Sequence, residues 1–137
     1  MLEMIDRMQS IDYVSVCDEA FNLRTDDAAN LNREQLNRGE KADDTNLPYY
    51  RDSTIKRKRK KGQQTSPMNL KDTGEFWSSI SAYSDNGKQY FQSYDSKYPI
   101  LDKNYPNILG LNSKSITKFK PYLSETLYIL TSNKLQL

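Results

Sequence analysis

The stretch SAYSDNGKQYFQSY, at positions 81–94, carries the clearest local folding signal in the chain. Its centre, Asp85-Asn86-Gly87, contains an Asn-Gly pair, which favours the positive φ angles that a tight turn demands. Beyond the turn, residues 90–94 alternate with the period of two that is typical of a strand. We therefore predict an antiparallel β-hairpin over 81–94.

Upstream of the hairpin, the spacing of apolar residues predicts helices. Residues 3–9 predict a short helix, and a longer helical pattern runs from Asp12 to a C-terminal cap at Gly39. A break near 25–27 stays open, because Thr-Asp-Asp also begins helices well. The apolar positions of the long pattern are Val14, Cys17, Phe21, Ala28 and Leu31.

Between the long helix and the hairpin, the chain is polar. Residues 40–52 predict a loop, and Asp52 or Ser53 can cap a short helix over 54–61 that ends at Gly62. Together with the residues up to 69, this stretch is predicted to form a basic loop region.

Downstream of the hairpin, residues 98–111 predict short apolar anchors between turns. A final helix is predicted from Asn112 or Ser113 to about Leu130, and Pro121 should kink it or mark its true start. Its apolar positions are Ile116, Phe119, Leu123 and Leu127.

These elements predict an α+β fold with a long N-terminal helix, short helices, an antiparallel hairpin or small sheet, and a C-terminal helix. A chain of 137 residues is expected to form one domain over 1–137. Within it we expect a helical part over 1–39, the basic loop region over 40–69, and the hairpin with the last helix over 70–137.

The composition excludes several classes of function. Since the chain has no histidine, it cannot hold a Ser–His or Cys–His catalytic pair or an HExxH zinc site. A single cysteine, Cys17, rules out internal disulfides and fits a reducing compartment. No apolar run is long enough to span a bilayer, and the acidic start does not resemble a signal peptide. We expect an intracellular protein without catalytic residues, cofactor or metal, and with no membrane partner.

Residues 56–61 form a run of six cations in a chain whose net charge is only +2. Such a run can neutralise phosphates and bind nucleic acid in a salt-dependent way, or it can serve as a localisation signal. The alternative is a solvated segment that meets acidic neighbours in an assembly. Aromatic residues do not interleave with the cations, so a base-stacking platform is not indicated. The predicted contact residues are Lys56, Arg57, Lys58, Arg59, Lys60 and Lys61.

The tripeptide Asp72-Thr73-Gly74 matches the motif of aspartic proteases, in which two aspartates share a proton. A small protease of this kind would have to dimerise to supply the second aspartate. The flanking residues Lys71 and Glu75 fit a helix start better. We therefore predict a variant of the capping box, in which Asp72 and Glu75 satisfy the first backbone amides of a helix.

The same stretch, LKDTGEFWSSI at 70–80, resembles the "D-T-G-x-L/F-x-x-S-I" segment of tail-completion and neck proteins of tailed bacteriophages, in the small HK97-type α+β family. Three further stretches resemble related virion proteins: NREQLNRG at 32–39, YRDSTIK at 50–56 and ILGL at 108–111. One departure is the acidic stretch 41–44, which is glycine-rich in such relatives.

The resemblance implies a non-enzymatic virion protein, assembled in the host cytoplasm, that forms a homo-oligomeric ring at the neck or completes the tail. Its implied partners are copies of itself, other neck, portal or tail proteins, and packaged DNA contacted without sequence preference. We expect the hairpin to supply the subunit interface, with Tyr83, Tyr90, Phe91 and Tyr94 as its residues. The alternative is a basic nucleic-acid-binding accessory protein that acts through residues 56–61.

Overall fold

A computed structural model describes residues 2–135, which form seven helices and one two-stranded antiparallel sheet. The predicted α+β class is confirmed. The helices are α1 (Leu2–Ser10), α2 (Tyr13–Asn22), α3 (Thr25–Asn37), α4 (Asp52–Lys60), α5 (Glu75–Ser79), α6 (Tyr98–Asn104) and α7 (Ser113–Leu135), and the strands are β1 (Ile80–Asp85) and β2 (Lys88–Ser93).

The long N-terminal helix of the prediction is wrong, because the chain breaks into α2 and α3 at Leu23 and Arg24. The break lies just before the Thr-Asp-Asp stretch, where acidic side chains favour the first turn of a new helix. The predicted end of the pattern is correct. Gly39 has a φ of 73°. Its backbone amide donates to the Leu36 carbonyl, and the backbone amide of Glu40 donates to the Gln35 carbonyl. This pair of bonds is the Schellman motif that a glycine in left-handed conformation permits.

The hairpin forms as predicted. Asn86 and Gly87 both have positive φ, at 49° and 82°, as a two-residue type I′ turn requires. Asp85 pairs with Lys88 across the turn, and the register continues to Ile80 opposite Ser93. One face of the sheet packs on the protein and the other is exposed.

Two apolar clusters form the core, and α3 contributes to both. The first lies between α2, α3, the sheet and α7, and the second between α3, α5 and the segments around α6. The buried members of the first are Phe21, Ala28, Leu31, Ala82 and Phe119. Those of the second are Ala29, Leu36, Phe76, Ile80 and Ile108.

Two buried amides of α3 hold the segment before α7. The Asn32 carboxamide donates to the Ile108 carbonyl at 3.0 Å and accepts from the Gly110 amide at 2.9 Å. One turn later, Gln35 donates to the Gly110 carbonyl at 3.0 Å and accepts from the Asn112 amide at 2.7 Å. Side chains on a helix thus satisfy a non-helical backbone that has no strand beside it.

The C-terminal half differs from the prediction in two places. The segment predicted as anchors between turns contains α6, and α7 runs to Leu135 and continues through Pro121 instead of starting there. The predicted start is confirmed: the Asn112 side chain accepts from the Ser115 amide at 3.0 Å, so Asn112 caps α7.

Candidate functional site

Four of the six predicted contact residues form an exposed basic surface on α4. Lys56, Arg57, Arg59 and Lys60 are all exposed. Within residues 2–135, no carboxylate oxygen lies within 4.0 Å of their charged nitrogens. We call these four residues the basic arc. Its charges are therefore available to an external anion.

Lys58, predicted to contact a partner together with its neighbours, does not belong to this exposed surface. The residue is only 5% exposed, and its ammonium donates to the Lys71 carbonyl. The Nζ atom also lies 4.7 Å from the centre of the Tyr50 ring. Burial lowers the pKa of Lys58. Lys58 thereby joins α4 to the loop that precedes α5.

The predicted capping box at Asp72 and Glu75 does not form. The helix start is real, but Gly74 occupies the cap position with a φ of 90°, and the Glu75 amide donates to the Thr73 hydroxyl at 3.4 Å rather than to Asp72. Asp72 instead accepts from Lys61 Nζ at 3.1 Å, and this bond is the main cause that lowers the pKa of Asp72. A carboxylate held in its charged form by lysine is unlike the proton-sharing aspartates of a protease.

Two of the predicted interface tyrosines, Tyr83 and Tyr90, lie on the exposed face of the hairpin. Tyr83 and Tyr90 face each other across the strands, with ring centres 5.0 Å apart and planes inclined by 19°. Tyr94 follows β2 and is 81% exposed. Tyr83 and Tyr90 thus form an exposed aromatic pair with polar hydroxyls, a composition that is common in protein interfaces.

Phe91 does not share that face. Its ring packs edge-on against Phe21, with centres 6.4 Å apart, and it covers the first core cluster. The alternation of a strand places Phe91 opposite to Tyr90. Phe91 can therefore contact a partner only on the core-facing side of the sheet, and not together with Tyr83 and Tyr90.

The two edges of the sheet differ. In a two-residue hairpin, the backbone groups of Ile80, Ala82 and Ser84 point away from the partner strand. On β1 these groups are covered at two points: Asn22 bonds both the amide and the carbonyl of Ser84, and Arg33 donates to the Ile80 carbonyl. The β1 edge is therefore largely closed.

The β2 edge is open. The outward-pointing groups of this strand belong to Gln89, Phe91 and Ser93. In the part of the chain that the structure describes, no group bonds to the backbone amide or carbonyl of Gln89 or Phe91. Such an edge can accept an additional strand.

An apolar groove of about 500 Å³ lies beside this open edge. It is bounded by α2, β2, the loop before α7 and the first half of α7. No sequence pattern predicted it, because its walls come from segments that are distant in the chain. Its apolar lining consists mainly of Phe21, Phe91, Leu111, Ile116, Phe119 and Leu123.

The acidic stretch 41–44, which we call the acidic loop, has a structural role. Asp43 accepts from the Thr45 amide at 3.1 Å, and Asp44 accepts from the Ser113 amide at 2.9 Å and its hydroxyl at 2.6 Å. Over the described residues, no group of three or more potential metal ligands occurs. The same range contains no helix that is both long and apolar enough to cross a membrane.

The stretches on which the predicted family resemblance rests contact one another. Arg33, from the 32–39 stretch, donates to the carbonyls of Trp77 and Ile80 at 2.7 Å and 3.0 Å, which lie in the 70–80 stretch. Asn32 and Gln35 hold the 108–111 stretch, as described above. The residues that carry the resemblance are thus scaffold residues, and comparison with protein-family models, curated proteins and solved structures finds no match to the chain.

Proposed function

We propose that this protein is a structural subunit of a tailed-bacteriophage virion, which forms a homo-oligomeric ring at the neck or head–tail junction or completes the tail. Its partners would be copies of itself and other neck, portal or tail proteins. The proposed assignment to this family rests on the sequence resemblance. Support comes from the way Arg33, Asn32 and Gln35 join three of the four resembling stretches into one scaffold.

The open β2 edge beside the apolar groove is the observation that carries the assembly role. An extended segment of a neighbour can bond to the backbone of Gln89 and Phe91 and place an apolar side chain in the groove. The exposed tyrosines Tyr83, Tyr90 and Tyr94 can then border the contact. A head-to-tail contact of this kind generates a ring when the rotation closes.

Quantitative mass spectrometry of purified particles tests the virion assignment. We expect this chain at a fixed ratio to the portal protein, at roughly a handful to a dozen copies per particle, as for a closed ring. Abundance in infected cells together with absence from particles would contradict the structural role.

A proline at the open edge tests the interface. Gln89→Pro removes an outward-pointing amide and leaves the hairpin ladder intact, because this amide takes no part in the pairing with β1. Gln89→Ala removes the same side chain but keeps the amide, and it is the matched control. We expect both variants to fold and only Gln89→Pro to lose assembly, measured by analytical ultracentrifugation and incorporation into particles. Normal assembly of Gln89→Pro would exclude the β2 edge.

A second candidate function is binding to nucleic acid through α4. The specific observation is the basic arc, whose charges have no carboxylate partner within the described chain. Binding to duplex DNA should weaken steeply with salt, and each lost phosphate contact should reduce the slope by about 0.9.

A charge-matched pair of triple variants tests this function. Alanine at Lys56, Arg59 and Lys60 should weaken DNA binding and flatten its salt dependence. Alanine at Lys88, Lys103 and Lys118, three exposed lysines elsewhere, changes the net charge equally and should have a smaller effect. Equal effects of the two sets, or no DNA binding at low salt, would exclude α4 as a specific contact.

A further inference from the structure

A second pocket, of about 230 Å³, lies between α4, α6 and the loop that precedes α5. Its wall carries four cations and one acid. The cations are Arg57, Lys58, Lys71 and Lys97, and the acid is Asp72. The pocket is therefore strongly positive for its size.

Lys58 is the buried charge of this pocket. Its ammonium lies between two other wall residues, donating to the Lys71 carbonyl and resting over the Tyr50 ring. An ammonium has three donors, and within residues 2–135 no carboxylate oxygen lies within 4.0 Å of this one. Since a buried charge is costly without a counter-ion, the site is suited to an anion.

Three of the four aromatic side chains of the pocket are already engaged: Phe76 stacks on Tyr98, and Tyr50 and Trp77 each lie beside a lysine ammonium. Lys58 covers the Tyr50 ring, and Lys71 Nζ lies 4.9 Å from the centre of the Trp77 ring. The Trp77 indole also donates to the Asn69 carbonyl at 2.9 Å. These rings are not free to stack on a planar base. The pocket therefore suits a compact anion rather than a nucleobase.

Asp72 only partly neutralises the pocket. Its carboxylate is 3.1 Å from Lys61 Nζ, which is outside the pocket, and 4.0 Å from Lys97 Nζ. Its charge is thus shared between two lysines, while among the described residues no carboxylate lies within 4.0 Å of Arg57 or Lys58. The donors available to a ligand are on the α4 side.

We propose that this pocket binds a phosphate group, with Lys58 and Arg57 as its principal contacts and Lys97 at the rim. A guanidinium and an ammonium that converge on one cavity match the several acceptor oxygens of a phosphate. The phosphate is either a free phosphate ion or part of a nucleic-acid backbone. The backbone is a possible source because Arg57 also belongs to the basic arc. The pocket is formed within a single chain, so phosphate binding does not require the proposed ring.

Trp77 makes the proposal directly measurable, because it is the only tryptophan of the chain and lines the pocket. Its fluorescence is followed during titration with inorganic phosphate, with a short DNA duplex, and with sodium chloride at matched ionic strength. We expect a saturable change with phosphate or with duplex but not with chloride. Lys58→Met, which keeps the apolar stem, and Arg57→Ala should each weaken binding roughly tenfold or more. Lys118→Ala, an exposed lysine on α7, should bind as the parent protein does.

Each outcome decides the proposal. Saturation by inorganic phosphate identifies a free-anion site, and saturation by duplex alone identifies a backbone phosphate, provided that Arg57→Ala weakens it. If circular dichroism shows that Lys58→Met is unfolded, Arg57→Ala alone tests the proposal, because Arg57 is exposed and its replacement should not disturb the fold. The proposal is overturned if neither probe saturates the signal, or if folded Lys58→Met and Arg57→Ala bind as tightly as the parent protein.

Discussion

The carboxamide of Asn22 pairs with the backbone of Ser84 in both directions. Its Nδ2 donates to the Ser84 carbonyl at 3.0 Å, and its Oδ1 accepts from the Ser84 amide at 2.8 Å. One side chain of α2 thus makes the two bonds that a neighbouring strand would make. Asn32 and Gln35 also use both ends of a carboxamide to hold backbone, but each of them bonds two different residues of the segment before α7.

Replacing Asn22 by alanine should destabilise the protein by about 1–3 kcal/mol, because Ser84 is buried and both of its backbone groups lose their partner. The free energy of unfolding in urea measures this loss. Asn104→Ala, at the exposed end of α6, is the control and should change it by less than about 0.5 kcal/mol. A similar small change for Asn22→Ala would show that water replaces the carboxamide at no cost.

Gln35→Leu should be more damaging, by about 2–4 kcal/mol. Gln35 is fully buried, and the leucine would leave the Gly110 carbonyl and the Asn112 amide without partners inside the protein. Urea unfolding monitored by circular dichroism gives the value. The neighbouring exposed substitution Glu34→Gln should be nearly neutral. Equal stability of the two variants would mean that the polar contact to the 108–112 segment is dispensable.

The two faces of β2 predict opposite effects of neighbouring substitutions. Phe91→Ala removes a ring from the first core cluster and should cost about 2–4 kcal/mol, since the ring is partly buried. Tyr90→Ala should cost less than about 1 kcal/mol, because it loses mainly the cross-strand stacking with Tyr83. Thermal unfolding ranks the two. If Tyr90→Ala proves the more destabilising, the hairpin faces are assigned the wrong way round.

Acid should weaken the tether between the acidic loop and α7. The bonds from the Ser113 hydroxyl and amide lower the pKa of Asp44 below its ordinary value of 3.8. A carboxyl whose pKa is lowered by folding stabilises the protein above its unfolded pKa, and this contribution is lost as the pH falls through the folded value. The stability gap between the parent protein and Asp44→Asn should thus be full at neutral pH and shrink as the pH falls below the ordinary value of 3.8.

Asparagine is the suitable replacement at this position because Asp44 has a φ of 66°, which asparagine tolerates. Asp6→Asn, at an exposed position of α1, serves as the control. Urea unfolding at several pH values gives the two curves. A gap that persists unchanged at the acidic end would show that the charge of Asp44 is not what holds Ser113.

Local chemistry explains what the sequence predicted well. The Asn-Gly turn, the cap at Asn112 and the glycine ends at Gly39 and Gly62 each depend on residues close together in the chain. The exposed cations of α4 were predicted for the same reason.

The predictions that differ from the structure concern residues whose positions depend on tertiary contacts. Nothing within the run of six cations distinguishes Lys58 from its neighbours, and its burial depends on Tyr50 and on the Lys71 carbonyl. Asp72 has the residues of a cap around it, but Lys61, eleven positions earlier, binds its carboxylate instead. The inward face of Phe91 could have been read from the strict alternation of β2, whereas the groove beside it needs the fold.

The closure of one sheet edge by Asn22 and Arg33 also limits how this chain can aggregate. Fibrils of the cross-β type grow because every added strand offers a fresh edge to the next. Here a second hairpin that docked on β2 through its own β2 would present only a blocked β1 edge to further copies. Sheet growth between hairpins therefore stops at a pair, so the chain can expose an unpaired strand at high concentration without open-ended polymerisation through the sheet.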